Sequence, residues 1–455
     1  MLVSINPYTG VKIAQYNVLE KKEIGQKIEV AHQAFQEWKF LSINERAEYL
    51  HRLSEYLEAN KQEMAQVATH EMGKPISQSI AEIEKCAFTL QHYAENGHTM
   101  LKEEKIKMEH GDAFIHYEPL GVVLAIMPWN FPYWQVFRAM GPILISGNTM
   151  LLKHASNVTG CGQAIQNAMD ACEFPKGVFE FLTLKSSAME PIISHPFVQA
   201  ITFTGSTDAG RKVAAIAAAH LKKQVLELGG SDAYIILKDA NLEAAAETCA
   251  KSRLNNSGQS CIAAKRMIVD ESIAPHFERL LMEAFEQRPF GDPSRMDTEV
   301  GTMAREDLRA ALHQQVEESV AQGAQILCGG YIPSGEAVFY PPTILTKVVK
   351  GMPAYEEELF GPVAAIIIAK NEEDALHIAN DSEYGLGGAI FTNNLKKGKE
   401  LAAKRIDAGS VFVNAMVHSN AKLPFGGIKN SGYGRELGSF AIKEFVNIKT
   451  VLVSS

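Results

Sequence analysis

No stretch of this chain approaches the roughly 18 consecutive apolar residues that a membrane-crossing helix requires. Its first residues, Met1 to Gly10, show no apolar signal core. The expectation is a cytoplasmic protein with no membrane partner. Cysteine is sparse: Cys86, Cys161, Cys172, Cys249, Cys261 and Cys328 lie scattered, and no two form a C-x-x-C pair. That argues against a disulfide framework and against a zinc site, so reduced thiols and no metal are expected. Positive charge is in deficit, with 44 Lys+Arg against 53 Asp+Glu and a net charge of -9. Nucleic acid and anionic membranes are therefore excluded as main partners, although a local basic pocket is not. Internal repeats, low-complexity tracts and long linkers are missing, as is the G-x-G-x-x-G dinucleotide fingerprint.

What remains is an ordinary globular composition, 46% hydrophobic and 21% charged over 455 residues. That length allows two or three domains and a large core. Apolar residues at spacing three and four (Ala31, Ala34, Phe35 and Trp38; then Leu50, Leu53, Tyr56 and Leu57) predict helices across 21–70. Gly73-Lys74-Pro75 stops the pattern, and Ile76 to Tyr93 restarts it. Residues 102–120 read as an exposed hairpin, and Phe445 to Val453 alternates like a strand. An exposed strand at a chain terminus often pairs with a partner subunit. From Gly121 the pattern is α/β. Strands are expected at 121–126, 149–153, 178–182, 200–204 and 225–228, with helices at 139–146, 158–172 and 207–220. The half from about 230 to 430 repeats this mixed pattern, with strands at 363–369 and 410–414 and a helix at 374–379. Strands without polar alternation, separated by helices, imply a parallel sheet covered on both faces. Ligands bind beyond the carboxyl ends of such strands.

Several of those ends carry chemistry. Asn130 sits between two prolines in M-P-W-N-F-P, and Lys153 follows Leu152. Thr204-Gly205-Ser206 opens a helix, which exposes backbone N–H groups and the positive end of a helix dipole to a phosphate. Taken alone, that turn reads equally well as a structural cap. The strand V-L-E-L-G-G holds Glu227, and 34 residues later N-N-S-G-Q-S-C-I holds Cys261 on a Gly-containing turn. A lone cysteine is usually inert packing. A carboxyl at the end of an apolar strand is costly unless used, and its desolvation raises its pKa toward that of a general base. Two loops, Glu356–Pro362 and Pro424–Lys429, read on composition alone as solvated, the second as flexible.

Taken together, P-W-N-F-P, F-T-G-S, L-E-L-G-G, G-Q-S-C, E-E-L-F-G-P-V and P-F-G-G-I-K-N-S-G-Y-G-R-E resemble the aldehyde dehydrogenase superfamily over nearly the whole chain. The resemblance implies an α/β aldehyde dehydrogenase fold with a Rossmann-like cofactor domain (1–100, 120–229 and 431–446) and an α/β catalytic domain (230–430). A β-strand oligomerisation arm (101–119 and 447–455) and a homodimer or homotetramer complete it. It implies Cys261 as nucleophile, Glu227 as general base and Asn130 as oxyanion donor beside the Cys261 backbone N–H. Lys153 and Glu358 match residues that hold the cofactor riboses. Trp129, Gly205 and Ser206 match the pyrophosphate region, and Phe360 the nicotinamide. The turn and a cationic ring nearby are expected to favour the Cys261 thiolate. The cofactor is NAD or NADP, because Ser156 stands where the family carries a glutamate that repels a 2′-phosphate.

Within the family, W-N-F-P-Y-W-Q-V-F-R, L-K-H-A-S-N and L-E-L-G-G-S-D are most similar to bacterial succinate-semialdehyde dehydrogenases. That similarity implies a substrate-carboxylate arginine at Arg138, since a guanidinium pairs bidentately with a carboxylate. The family's second arginine is Asn255 here, which shifts part of the carboxylate binding to Ser419 and leaves a broader aldehyde range open. The other readings are a Cys/Glu thioesterase or esterase, transfer of the acyl group to coenzyme A, and a non-catalytic use of the fold.

Overall fold

A computed structural model describes residues 1–109, 111–335 and 337–454. Two parallel sheets organise it. In the first, Val122–Met127 lies in the middle and is buried along its whole length. Thr149–His154 and Phe179–Phe181 lie to one side of it, and Val198–Thr204, Lys223–Glu227 and the short antiparallel Gly432–Tyr433 to the other. The order in which strands are added to the sheet therefore reverses between the parallel Val122–Met127 and Val198–Thr204. In an open α/β sheet, that reversal opens a crevice at the carboxyl ends of the two strands. The second sheet runs Gln325–Cys328, Thr343–Thr346, Val363–Ala369, Arg266–Asp270, Ala233–Ile236, Gly387–Phe391 and Ser410–Val413, parallel apart from its first strand. Each sheet is covered by helices and has its own apolar clusters.

The long helices Lys21–Trp38, Ile43–Met72 and Ile76–Met100 pack beside the first sheet. Ile43–Met72 starts at a reciprocal cap. The Glu45 N–H donates to Ser42 Oγ at 3.2 Å and the Ser42 N–H to Glu45 Oε2 at 2.7 Å, satisfying two N–H groups that have no partner within the helix. It ends at Gly73, whose φ of 74° suits glycine. Leu50, Leu53 and Leu57 are fully buried, each worth about 1.5–3 kcal/mol.

Two helices differ from expectation. Ile76–Met100 continues seven residues past Tyr93, through Asn96-Gly97, which reads locally as a stop. Gly97 lies against another helix, where an added Cβ would sit 2.6 Å from Ile145 Cγ1. The helix at 139–146 begins instead at Trp134. Its cap comes from far along the chain: Glu82 Oε1 accepts the N–H groups of Tyr133 and Trp134, both at 2.8 Å.

The hairpin Glu104–Lys107 and Asp112–Pro119 pairs through its second strand with Val446–Val453. Ile448, Leu452 and Val453 remain 56–58% exposed on that strand. His110 and Ser455, both assigned to the arm, and Glu336 lie outside the described residues. No helix among the described residues is long and apolar enough to cross a membrane.

Candidate active site

Glu227 ends its strand, and the two glycines after it let the Cys261 loop come close. A Cβ on Gly230 would lie 2.8 Å from the Cys261 carbonyl oxygen, and one on Gly229 would lie 2.6 Å from Glu358 Oε2. The residues before Cys261 form a left-handed turn, with φ of 54° at Asn256, 53° at Ser257 and 73° at Gly258. That conformation costs about 1–2 kcal/mol for an L-residue, less for asparagine than for serine. Tertiary bonds hold the turn. The Asn256 N–H donates to Gln78 Oε1 at 2.7 Å and its Nδ2 to the Asn130 carbonyl at 2.6 Å. Ser257 Oγ accepts the Gly301 N–H at 3.0 Å, and Gln259 Oε1 the Ala304 N–H at 2.9 Å.

Lys265, fully buried, fixes the peptides on either side of the thiol. Its Nζ donates to the Ser260 carbonyl at 2.9 Å and the Cys261 carbonyl at 2.6 Å, and lies 3.2 Å from Glu358 Oε1. Because a trans peptide points its N–H opposite its carbonyl, the Cys261 N–H faces away from Lys265. Asn130 is held from both ends: its Nδ2 donates to the Gln259 carbonyl and its Oδ1 accepts from Gln135 Nε2, each at 2.9 Å.

Cys261 and Gln135 stand between two cavities and line both. One, of about 240 Å³, occupies the crevice at the strand reversal, with Trp129, Asn130, Gly205, Ser206, Glu358 and Phe360 on its walls. The Trp129 and Phe360 rings meet edge to face at 5.7 Å. Ser206 caps the helix Thr207–Ala219, accepting the Ala209 N–H at 3.4 Å, and also lines this cavity. The second cavity, of about 220 Å³, carries Lys85, Arg138, Asn255, Ser419, Phe131 and Phe425 on its walls. Both loops read as solvated are built into these walls. Glu358 is held by Lys265 and by the Gly230 N–H at 3.1 Å. Phe425 is buried, and its backbone exchanges two hydrogen bonds with Glu436.

Burial pushes the Cys261 thiol up to about 12, although Lys265 and Arg138 pull the other way. The turn alone does not offset this desolvation, so the expected thiolate draws on the cationic ring as well. Glu227 lines neither cavity. It is enclosed, with Gly426 close by, and neither carboxyl oxygen has a hydrogen-bond partner among the described residues. Burial, and then the Glu436 carboxyl, hold its pKa well above the ordinary carboxylate range.

Arg138 does reach the second cavity, but its guanidinium is also ion-paired with Glu436. It donates to Thr204 Oγ1 at 3.2 Å and lies 5.1 Å from the Phe425 ring. Lys153 and Ser156 stand at the carboxyl end of the neighbouring strand and line neither cavity; Lys153 Nζ donates to Ser186 Oγ at 3.3 Å. Among the described residues, no cluster of His, Cys, Asp and Glu could hold a metal ion.

A family model for the aldehyde dehydrogenase family matches residues 1–451. The chain belongs to the aldehyde dehydrogenase family. It is 46% identical over 449 residues to the succinate semialdehyde dehydrogenase [NAD(P)+] Sad of Escherichia coli K12, covering 99% of this chain and 97% of that one. It is 43% identical over 453 residues to a probable succinate-semialdehyde dehydrogenase [NADP(+)] of Synechocystis, with both chains fully covered. The crystal structure of succinic semialdehyde dehydrogenase from Streptococcus pyogenes with NADP+ superposes over the full length of both chains with a TM-score of 0.98 at 33% identity.

This aldehyde dehydrogenase places three residues absent from the sequence expectations at the cavities or beside the thiol: Lys85, Gln135 and Lys265. Gln135 lies inside a quoted motif, five residues after Asn130, and that spacing was the only signal for it. Gly258 also has a sharper role than that of a turn residue. A Cβ there would lie 2.2 Å from the Gly361 carbonyl oxygen, and no side-chain rotation relieves a clash with backbone. The left-handed conformation alone costs alanine about 1–2 kcal/mol. Gly258→Ala is expected to lower the thermal midpoint by roughly 2 °C or more and to cut activity. An unchanged midpoint with full activity would show that the turn tolerates a side chain.

Proposed function

We propose that this aldehyde dehydrogenase oxidises succinate semialdehyde to succinate with NAD or NADP, through a thioester on Cys261. The position of Cys261 on the wall between the two cavities carries the reading. The crevice cavity fits a dinucleotide: a helix N-terminus for its anionic bridge, the Glu358 carboxylate for sugar hydroxyls and Phe360 beside a flat ring. The glycine floor at Gly205 and Gly229 supports that fit, since a Cβ at either would lie 2.6 Å from a neighbouring side chain. Lys153 and Ser156 would hold the far ribose, and Ser156 places no negative charge against a 2′-phosphate. Bound there, the cofactor supplies the hydride acceptor.

The residues then divide the work. The Cys261 thiol gives its proton to water, the thiolate sulfur adds to the aldehyde carbon, and the carbonyl electrons move onto oxygen. The Cys261 N–H and the Asn130 side chain stabilise that oxyanion, a contribution of about 3–4 kcal/mol per donor. When the oxyanion re-forms its double bond, the hydride leaves carbon and a thioester remains. Glu227, once deprotonated and turned toward the sulfur, takes a proton from water, which releases the acid and restores the thiol. Arg138 and Ser419 face the substrate from the second cavity.

The exposed apolar strand Val446–Val453 supports a homodimer or homotetramer. The separate apolar clusters of the two sheets support the division at residue 229/230. A cytoplasmic location belongs to the same reading, supported by six free cysteines.

Initial rates test the reading. kcat/KM for succinate semialdehyde is expected to exceed that for butanal by about tenfold or more, with activity on both NAD and NADP. Equal values for the two aldehydes, or a preference for NAD above about a hundredfold, would contradict it. An esterase would reduce no cofactor.

A further inference from the structure

The second cavity has three cations on its walls, and two are already neutralised. Lys74, fully buried, pairs with Glu82, whose other oxygen accepts the Tyr133 and Trp134 N–H groups. Arg138 pairs with Glu436. Lys85 has no carboxylate partner among the described residues. Its Nζ donates to Ser419 Oγ at 2.8 Å and lies 4.0 Å from the centre of the Trp134 ring. A hydroxyl and a ring face orient an ammonium without cancelling its charge. The cavity therefore holds one surplus positive charge beside the residue proposed as nucleophile. An ammonium taken out of water is costly without a counter-ion, and a bound anion supplies one.

We propose that Lys85, positioned by Ser419 and Trp134, binds the carboxylate of the aldehyde substrate and is the main determinant of selectivity for a carboxylated aldehyde. This deepens the substrate reading above and rests on it. Arg138 contributes its field, but its guanidinium is shared with Glu436. Ser419 then has two jobs, accepting from Lys85 and turning its own proton to the carboxylate.

The charge on Lys85 is titratable. Burial, and then the Arg138 guanidinium from the facing helix, bring its ammonium down to about 8. Lys74 from the preceding loop adds to the lowering, whereas Glu82 and Cys86 on its own helix oppose it, and His418 lies on the cavity wall opposite. A carboxylate pairs only with the protonated form, so binding weakens as pH rises through about 8.

The test compares succinate semialdehyde with butanal in the wild-type enzyme, K85M and K85R. The expected result for K85M is a KM for succinate semialdehyde roughly 10- to 100-fold higher, the scale of a lost charged hydrogen bond, with kcat changed far less. The selectivity over butanal falls by the same factor, and K85R restores most of it. In wild type, KM for succinate semialdehyde climbs above pH 8 and KM for butanal does not; in K85M the climb is gone. A wild-type preference that persists in K85M, or a K85M defect equal for both aldehydes, would overturn the role of Lys85 alone. A wild-type enzyme indifferent to the carboxylate would overturn the substrate reading and this inference together. A matching thermal midpoint in K85M and wild type separates selectivity from folding.

Discussion

Cys261→Ala is expected to abolish aldehyde oxidation, lowering kcat by at least about 10⁴-fold, on the scale of removing a catalytic nucleophile. The chain has five other cysteines, but Cys86, Cys161, Cys172 and Cys249 are buried, and Cys328 lines neither cavity beside the crevice. None can replace the lost sulfur. The fold should survive, because the left-handed turn is held by Asn256, Ser257 and Gln259 and not by the thiol. Lys265 contacts the carbonyl of residue 261, which alanine keeps. Cofactor binding should therefore persist, measurable as quenching of protein fluorescence by added NADP, while no reduced cofactor appears on adding aldehyde. Reduced cofactor formed at a wild-type rate would mean that another group attacks the aldehyde.

Glu227→Gln is expected to split the reaction in two. The first half, ending at the thioester, does not need a base at 227. About one equivalent of reduced cofactor per active site should appear rapidly. The second half needs water to lose a proton, and positioned bases contribute about 10²–10⁴-fold to such steps, so steady-state turnover should fall by that range. The pH profile gives an independent sign. Burial and Glu436 raise the Glu227 pKa, so its neutral form dominates at low pH and the working carboxylate accumulates as pH rises. Wild-type turnover should therefore increase with pH where thioester hydrolysis limits it, and E227Q should not share that increase. An unchanged steady-state rate in E227Q would remove Glu227 from the mechanism. Glutamine is a close fit in size, and neither Glu227 oxygen is hydrogen-bonded among the described residues, so the cost in stability should be small.

The sequence displays those parts of the molecule whose causes are local. Val122–Met127 and Thr149–His154 are buried on both faces, so they lack polar alternation and read as parallel strands. The turn before Cys261 is legible from its glycine, and the turn after Glu227 from Gly229-Gly230, whereas the left-handed backbone at Asn256 and Ser257 is not. Features set by partners distant in the chain were not legible. The start of the helix at Trp134 depends on a Glu82 carboxylate supplied 52 residues earlier. Glu358 reads as one of three acids on a solvated loop until Lys265, at the start of the adjacent strand Arg266–Asp270, meets it. Lys85 on an amphipathic helix looks like a surface lysine, because Ser419, 334 residues away, is what turns it inward. The partner of Arg138 was hidden likewise, since Glu436 belongs to a segment that rejoins the first sheet after the whole second sheet has been built.

The central claim is a covalent acyl group on one sulfur. Mixing E227Q with succinate semialdehyde and NADP, quenching in acid and mapping the peptides by mass tests it most directly. The account predicts a succinyl group on the peptide that contains Cys261, formed in step with the reduced cofactor. Reduced cofactor accompanied by an unmodified Cys261, or by a label on any other residue, would contradict it.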